Sequence, residues 1–292
     1  MTALRVLATG PLTLVQDAGR PGLAALGVGR SGAADRRTHA LGNRLVGNPP
    51  HAASLEVLIG GLALRAEGGD AWVAVTGADV DVLVVTSEGV TRPVGLSSVV
   101  RLHDGDVLRL GMARTGLRAY VAARGEIDVP PVLGSRSTDV LSGLGPDPLA
   151  DGDLLPLGHA TEDWPTIDLA PVAPPPGGTV VLRAVRGPRD DWLEDADALV
   201  GPTWQASDRT DRVGMRLTGG ELRHRWADRQ LPSEGTVRGA VQVPPSGEPV
   251  IFLADHPVTG GYPVAAVLLD EDVDRAAQVR PGQGVRLHWV RP

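Results

Sequence analysis

The 292-residue chain contains no cysteine. Disulfides, thiolate metal sites and a cysteine nucleophile are therefore excluded. It contains no lysine either, since all 28 basic residues are arginine. Schiff-base chemistry needs a lysine amine and a phosphate-binding P-loop needs a lysine ammonium, so neither can operate here. No apolar run approaches the roughly 18 to 20 residues of a membrane-spanning helix. The opening segment, 1–14, lacks a basic stretch ahead of a long apolar one, so no secretory signal is expected. A net charge of −7 argues against nucleic acid or an anionic membrane as the main partner. The expected setting is the cytoplasm.

What is abundant is glycine (38) and proline (25), which punctuate a chain into turns and disfavour long helices. Hydrophobic residues make up 42%, enough for a substantial core. Between the punctuation, short apolar runs recur at 55–59, 72–76, 80–86, 117–122, 179–185, 250–254 and 264–269. This is the pattern of a β-rich sandwich or barrel rather than of alternating strands and helices. Three helices are expected. One spans 33–46 and stops at Gly47-Asn48-Pro49; the others lie near 190–200 and at 271–278, ahead of Pro281-Gly282.

The stretch 166–178, TIDLAPVAPPPGG, suits neither a sheet nor a helix and reads as a linker. It separates a domain at 1–165 from one at 179–292. The two halves echo each other. Leu4-Arg5 parallels Leu182-Arg183, Ser31 parallels Ser207, Val75-Thr76-Gly77 parallels Val258-Thr259-Gly260, and 105–110 parallels 282–287. Matches in the same order at similar offsets point to an ancient duplication.

Gly27-Val28-Gly29-Arg30-Ser31-Gly32 fits G-x-G-x-x-G, but Arg20-Pro21-Gly22 stands upstream where a dinucleotide fold has a buried strand. The motif reads instead as a turn feeding a helix. No two of the seven histidines have metal-ligand spacing, so no metal site is expected. Gln16, Asp17 and Arg20 form a polar loop bounded by glycines. Arg20 suits a substrate carboxylate, or it ties down the turn with Asp17. Glu56 falls in an apolar strand and is either half of an ion pair or a pocket group. The densest text is GAVQVPPSGEPVIFLADHPVTGGYP, residues 239–263. It reads as strand, hairpin, buried strand and a bend in which Gly260-Gly261 turn where side chains would clash. Asp255, His256, Thr259 and Tyr262 are the candidates there.

These blocks, with VQDAGRPG, SGAADR, NRLVGN, LEVLIGG, VTGAD, SDRTDRVGMRL and QVRPGQGVRL, closely resemble one family over nearly the whole chain. It is known as the biotin-dependent carboxyltransferase family, as KipA-like, as allophanate hydrolase subunit 2, or as the C subunit of 5-oxoprolinase (PxpC). The resemblance implies a mainly β protein of two cyclophilin-like β-barrel domains with a few short helices. It implies membership of an ATP-dependent complex that opens 5-oxoproline to glutamate, with a KipI-like B subunit and a LamB/YcsF-like A subunit. The alternatives it leaves are a carboxyltransferase component acting on urea, and a KipA-like regulator that binds a kinase inhibitor. ATP and Mg²⁺ are expected at the level of the complex, and no covalently attached biotin. Matching the family's blocks, the expected catalytic residues are Asp17, Arg20, Asp255 and His256. The expected residues binding a small amide are Gln16, Glu56, Arg209, Gln242, Thr259, Gly260, Gly261 and Tyr262. Where family members often carry Asp-x-Gln-Thr-Thr-Gly-Gly-Tyr-Pro, this chain reads Asp255-His256-Pro257-Val258-Thr259, so that glutamine is replaced.

Overall fold

Period-two alternation of the apolar runs is what the fold is built on. The computed structural model describes residues 2–159, 162–226 and 228–291, and they fall into two units. The first comprises Met1–Arg20, Asp35–Thr138 and Gly143–Pro175; the second comprises Pro21–Ala34, Asp139–Ser142 and Pro176–Pro292. The division after Pro175 lies inside the proline-rich stretch. The earlier part of that stretch belongs to the first unit, where Val99 N–H donates to Asp168 O and Ala170 N–H to Ser97 O, both at 2.8 Å. Two short excursions, Pro21–Ala34 and Asp139–Ser142, leave the first unit for the second with no composition shift to mark them.

The first unit has two sheets. One has the strand order Leu154–Pro156, Ala3–Thr9, Leu62–Glu67, Val107–Leu110, Val82–Val85, Thr91–Val94. The other runs Leu12–Gln16, Ser54–Leu58, Thr115–Ala123, Ala71–Asp79, Val99–Leu102. Leu4, Leu64, Val84 and Leu108 of the first sheet share one core with Val57, Val75, Val121 and Leu102 of the second. Alternation sends the intervening residues of the second sheet to its other face. There the register aligns Leu14, Glu56, Tyr120 and Thr76 in one cross-strand row. At the bulge between Thr115 and Ala119, Gly77 holds φ 102°, and a Cβ there would meet Arg118 O at 2.4 Å. Only glycine fits that approach.

Helix α1 (Arg36–Leu45) covers this face, with Leu45 packed on Ala74 and Ala122. Its N-cap is Asp35, whose carboxylate accepts from Thr38 N–H at 3.0 Å. The helix expected at 33–46 is present. It also brings His39 down onto the sheet, where Nε2–H donates to Gln16 O at 3.1 Å and the ring meets Tyr120 edge-on.

The second unit is a closed barrel in the order Val180–Arg186, Val264–Leu268, Ala240–Gln242, Val250–Phe252, Gly214–Thr218, Trp204–Ala206, Gly284–Trp289. The last strand closes the ring parallel to the first. Leu182, Trp204, Met215, Val241, Ile251 and Leu287 fill the interior, and Trp204 Nε1–H donates to Leu199 O at 2.8 Å. Helix α2 (Asp270–Ala276) stands where 271–278 is expected. A two-stranded ribbon pairs Glu234–Gly235 with Thr259–Gly260. No helix among the described residues is long and apolar enough to cross a membrane.

The helix expected at 190–200 does not form. Two short 3-10 turns, Asp190–Trp192 and Ala196–Leu199, flank extended residues Leu193 and Asp195. Leu193 bridges to His224, and Glu194 N–H donates to Arg223 O at 2.9 Å, so tertiary pairing takes the backbone groups a helix would use. The fold is mainly β with few short helices, as expected. The echo between the halves does not extend to strand order. Val107–Leu110 pairs antiparallel with Leu62–Glu67, whereas Gly284–Trp289 pairs parallel with Val180–Arg186.

Burial lowers the pKa of His39 below its ordinary 6.5, outweighing the opposing hydrogen bond to Gln16 O and the charges of Glu56 and Asp17. As pH falls through about 6.5 the unfolded chain takes up this proton before the folded one does. Stability is therefore full above that value and declines as pH drops toward the folded pKa. Chemical denaturation between pH 7 and 5 checks this. The wild-type chain should lose stability over that interval, and His39→Gln should lose less; equal slopes would refute it.

Candidate functional site

In the first unit the loop after Leu12–Gln16 is tied down on every side. Asp17 Oδ1 accepts from Gly19 N–H at 2.7 Å, Ser135 Oγ at 2.6 Å and Ser137 Oγ at 2.5 Å, and Oδ2 accepts from Arg136 N–H at 2.6 Å. Arg20 is buried, and its Nη2 donates to Ser137 O at 2.5 Å. The Gln16 amide donates from Nε2 to the next carbonyl, Thr138 O, at 2.8 Å. Of the two alternatives for this loop, the geometry has Asp17 and Arg20 holding the turn. Gln16 Oε1 and Arg20 Nη1 remain buried with no partner among the described residues.

Glu56 is the ion-pair alternative. Its Oε1 lies 3.4 Å from Arg118 Nε with both side chains buried, and its Oε2 accepts from Tyr120 Oη at 2.8 Å. The same hydroxyl accepts from Asp35 N–H at 2.8 Å, which links the sheet to the start of α1. Burial, and then the negative charges of Glu56 and Asp35, push the Tyr120 phenol well above its ordinary pKa, so it stays a donor.

In the second unit Asp255 is 1% exposed and both of its oxygens are occupied. Arg212 approaches as a fork, Nε to Oδ2 at 2.8 Å and Nη2 to Oδ1 at 2.9 Å. Ser31 Oγ donates to Oδ1 at 2.7 Å and Val140 N–H to Oδ2 at 3.0 Å. Arg212 Nη2 also donates to Gly32 O at 2.6 Å. The pair thus anchors both excursions, through Ser31-Gly32 and Val140, onto the barrel. His256 turns away from this cluster, stacks on Phe252 with centroids 5.8 Å apart, and donates from Nδ1 to Pro257 O at 2.8 Å.

The bend follows. Thr259, Gly261 and Tyr262 are exposed, and Gln242 lies buried beneath them with Nε2 donating to Tyr262 O at 3.1 Å. The glycine requirement is narrower than the sequence suggests. A Cβ on Gly260 would lie 2.6 Å from Gln242 Nε2, whereas one on Gly261 would make only an ordinary 3.7 Å contact with Leu231 O. Neither residue holds a positive φ. Arg209 is exposed, with Nη2 donating to Glu248 Oε2 at 3.1 Å. The structure therefore brings Gln242, Gly260, Gly261 and Tyr262 together, while Arg209 pairs elsewhere.

Asp17 and Asp255, the carboxylates with the right chemistry for Mg²⁺, already accept hydrogen bonds on both oxygens. No group of three or more His, Asp or Glu side chains suited to a metal occurs among the described residues.

Residues 26–289 match the carboxyltransferase domain, subdomain A and B, along almost the whole chain. The chain belongs to this carboxyltransferase-domain family. Within it, the 5-oxoprolinase C subunit of Escherichia coli K12 is 36% identical over 99% of this chain and 91% of its own. Among solved structures, TTHA0988 superposes with a TM-score of 0.88 at 35% identity, over 99% of this chain and 55% of that one. The K. lactis urea amidolyase superposes with a TM-score of 0.89 at 26% identity, but this chain spans only 19% of it. The chain is thus nearly as long as one family member, about half of another and a small part of a third.

Spacing in the sequence does not point to Arg212, Tyr120, Ser135 or Ser137, although each is a principal partner of a family-block residue. One signal is present for Arg212. It is an arginine in a strand-flanking block, SDRTDRVG, and so a candidate mate for the aspartate that ends the apolar run 250–254.

Replacing Asp255 with Asn nearly conserves volume but leaves the Arg212 charge buried without its counter-ion. Loss of one partner of a buried pair costs about 3–5 kcal/mol. Asp255→Asn should therefore melt well below the wild type, and trypsin should cut faster after exposed Arg30. A variant that melts like the wild type and only loses activity would support the catalytic reading of Asp255 over the structural one.

Proposed function

We propose that this chain is the C subunit of an ATP-dependent 5-oxoprolinase, a cytoplasmic hydrolase complex that opens 5-oxo-L-proline to L-glutamate. The observation that carries the reading is the 36% identity to the 5-oxoprolinase C subunit over essentially the full length of both chains. The partners are a KipI-like B subunit and a LamB/YcsF-like A subunit. The lengths support partnership, because relatives of the same fold occur inside much longer polypeptides.

A lactam carbonyl is a poor electrophile, and opening it is uphill without coupling. Phosphorylation of the amide oxygen by ATP would create a carbon that water can attack. Such a site needs a cation for the substrate carboxylate and donors for developing negative charge. Neither expected arginine supplies the first role at the bend, because Arg209 pairs with Glu248 elsewhere and Arg20 donates to Val132 O and Ser137 O. The Gly260–Tyr262 bend suits the second. Nucleotide and Mg²⁺ belong to the complex in this reading, and their being held by the partner subunits is supported by the engagement of Asp17 and Asp255 on both oxygens and by the lack of a P-loop and of lysine.

A second reading, a carboxyltransferase component acting on urea with carboxybiotin, is favoured by the superposition on urea amidolyase. It is the weaker of the two, because the matched region is only 19% of that enzyme and the full-length match is to the oxoprolinase subunit.

Co-expression with both partners, size-exclusion chromatography and an ADP-release assay test the proposal. The three chains should co-elute and release ADP on addition of 5-oxoproline but not of urea, and the isolated chain should show negligible ATPase activity. Separate elution with no 5-oxoproline-dependent ADP release would refute it.

A further inference from the structure

Gln242 ends the strand Ala240–Gln242 and is only 4% exposed. Its bond to Tyr262 O fixes which end of the amide is which, because a carbonyl can only accept and only Nε2 can donate. The oxygen end, Oε1, accepts no hydrogen bond among the described residues, yet it is not one of the partnerless atoms sealed from solvent. It lies beside Gly260, where a Cβ would come within 3.4 Å of it. In the two residues that follow Gly260, the backbone N–H groups of Gly261 and Tyr262 also have no acceptor among the described residues, and both residues are exposed. Side chains this deeply buried normally satisfy both ends of the amide. Here one end is used to shape the bend and the other is left open at its edge.

An open acceptor beside open N–H donors is complementary to a group that carries an N–H and a C=O on adjacent atoms. The geometry points to the Gly260–Tyr262 bend as a binding site for small lactams. Gln242 Oε1 accepts the lactam N–H, and the Gly261 or Tyr262 N–H donates to the lactam oxygen. The ring is what sets specificity. In a five-membered lactam the N–H and C=O point to the same side, so both bonds form along one edge. In an open-chain secondary amide the trans peptide geometry points them in opposite directions, and only one bond can form. Gly260 matters because a side chain there would displace the Gln242 amide from that edge. The lactam class rests on the oxoprolinase reading, while the site rests on the open hydrogen-bonding atoms.

The test is an NMR titration of the full chain with 2-pyrrolidinone, N-methyl-2-pyrrolidinone and N-methylacetamide. We expect 2-pyrrolidinone to shift the Gly261 and Tyr262 amide resonances and the Gln242 side-chain amide in a saturable way. N-methyl-2-pyrrolidinone lacks the N–H and N-methylacetamide is trans, so each should bind at least about tenfold more weakly, the loss of about 1.4 kcal/mol. Gln242→Met, similar in length but without either the acceptor or the Nε2 donor to Tyr262 O, should weaken 2-pyrrolidinone at least as much. Equal affinity for the three amides, or unmoved Gly261 and Tyr262 resonances, would overturn the proposal without any variant that has to fold. Lactam binding at the bend in a complex that does not turn over 5-oxoproline would sink the oxoprolinase reading and leave the site standing. Turnover with no shifts at the bend would do the reverse.

Discussion

Asp255 and Arg212 take two formal charges out of water, and the second unit is organised around offsetting that cost. A buried ion pair is stabilising only if geometry is good and the remaining lone pairs and protons are used. Here the guanidinium fork meets both carboxylate oxygens, and each oxygen takes one more donor. Those extra donors are Ser31 and Val140, and the extra acceptor for Arg212 is Gly32 O. Satisfying the pair thus requires two short pieces of chain to lie on a barrel to which their neighbours in sequence do not belong. Ser31 accepts a left-handed backbone, φ 54°, to reach its position, a conformation that costs a non-glycine residue roughly 1 kcal/mol or more. Its hydrogen bond to a buried charge offsets that strain. Within the Gly27–Gly32 motif, Ser31 and Gly32 make this docking, while Gly27 closes the short 3-10 turn Ala24–Leu26 at φ 77°.

The absence of lysine bears on the interior. Arg20, Arg118 and Arg212 are all buried, and Arg20 and Arg212 each donate from two nitrogens of the planar fork rather than acting as a point charge. Arg212 divides its donors between a carboxylate and a carbonyl, while Arg20 donates to the carbonyls of Val132 and Ser137 and forms no ion pair with a carboxylate among the described residues. A lysine ammonium in the same places would present donors without the fork and would carry a larger dehydration penalty. The two units use the same device differently. In the first, Glu56 spreads its charge between Arg118 and Tyr120 and so ties sheet to helix; in the second, Asp255 ties loops to barrel.

Local pattern carries the fold a long way. All seven apolar runs contain strands, and the two helices with clear stop signals form at 36–45 and 270–276. The failure at 190–200 is one of competition, because Leu193 and Glu194 have strand-like partners some thirty residues downstream. The candidate site is legible in part. The block containing Gln242 and Gly260–Tyr262 stands out in the sequence, and its residues do meet. What each of them does is not legible, because it depends on partners at long range. Asp255 and Ser31 are separated by 224 positions, and Asp17 and its clamping serines by 118 and 120. No spacing rule spans such distances, so a carboxylate saturated by donors and one free to bind a ligand look the same in the sequence.

That difference divides the densest motif into two. At Asp255 every acceptor is used, the side chain is dry, and rigidity is the result. A few residues on, at Gly260–Tyr262, the backbone is largely exposed, donors are unpaired, and the one buried polar group below them is half satisfied. Recognition requires hydrogen-bonding capacity that folding has not already consumed, held on a support that does not move to consume it. The saturated aspartate and the adjoining buried strand Val250–Phe252 supply the support, and the bend supplies the capacity. Position 260 is where the two meet. A side chain there would begin 2.6 Å from the Gln242 amide, so the fold keeps backbone alone beside the group whose Oε1 accepts no hydrogen bond among the described residues.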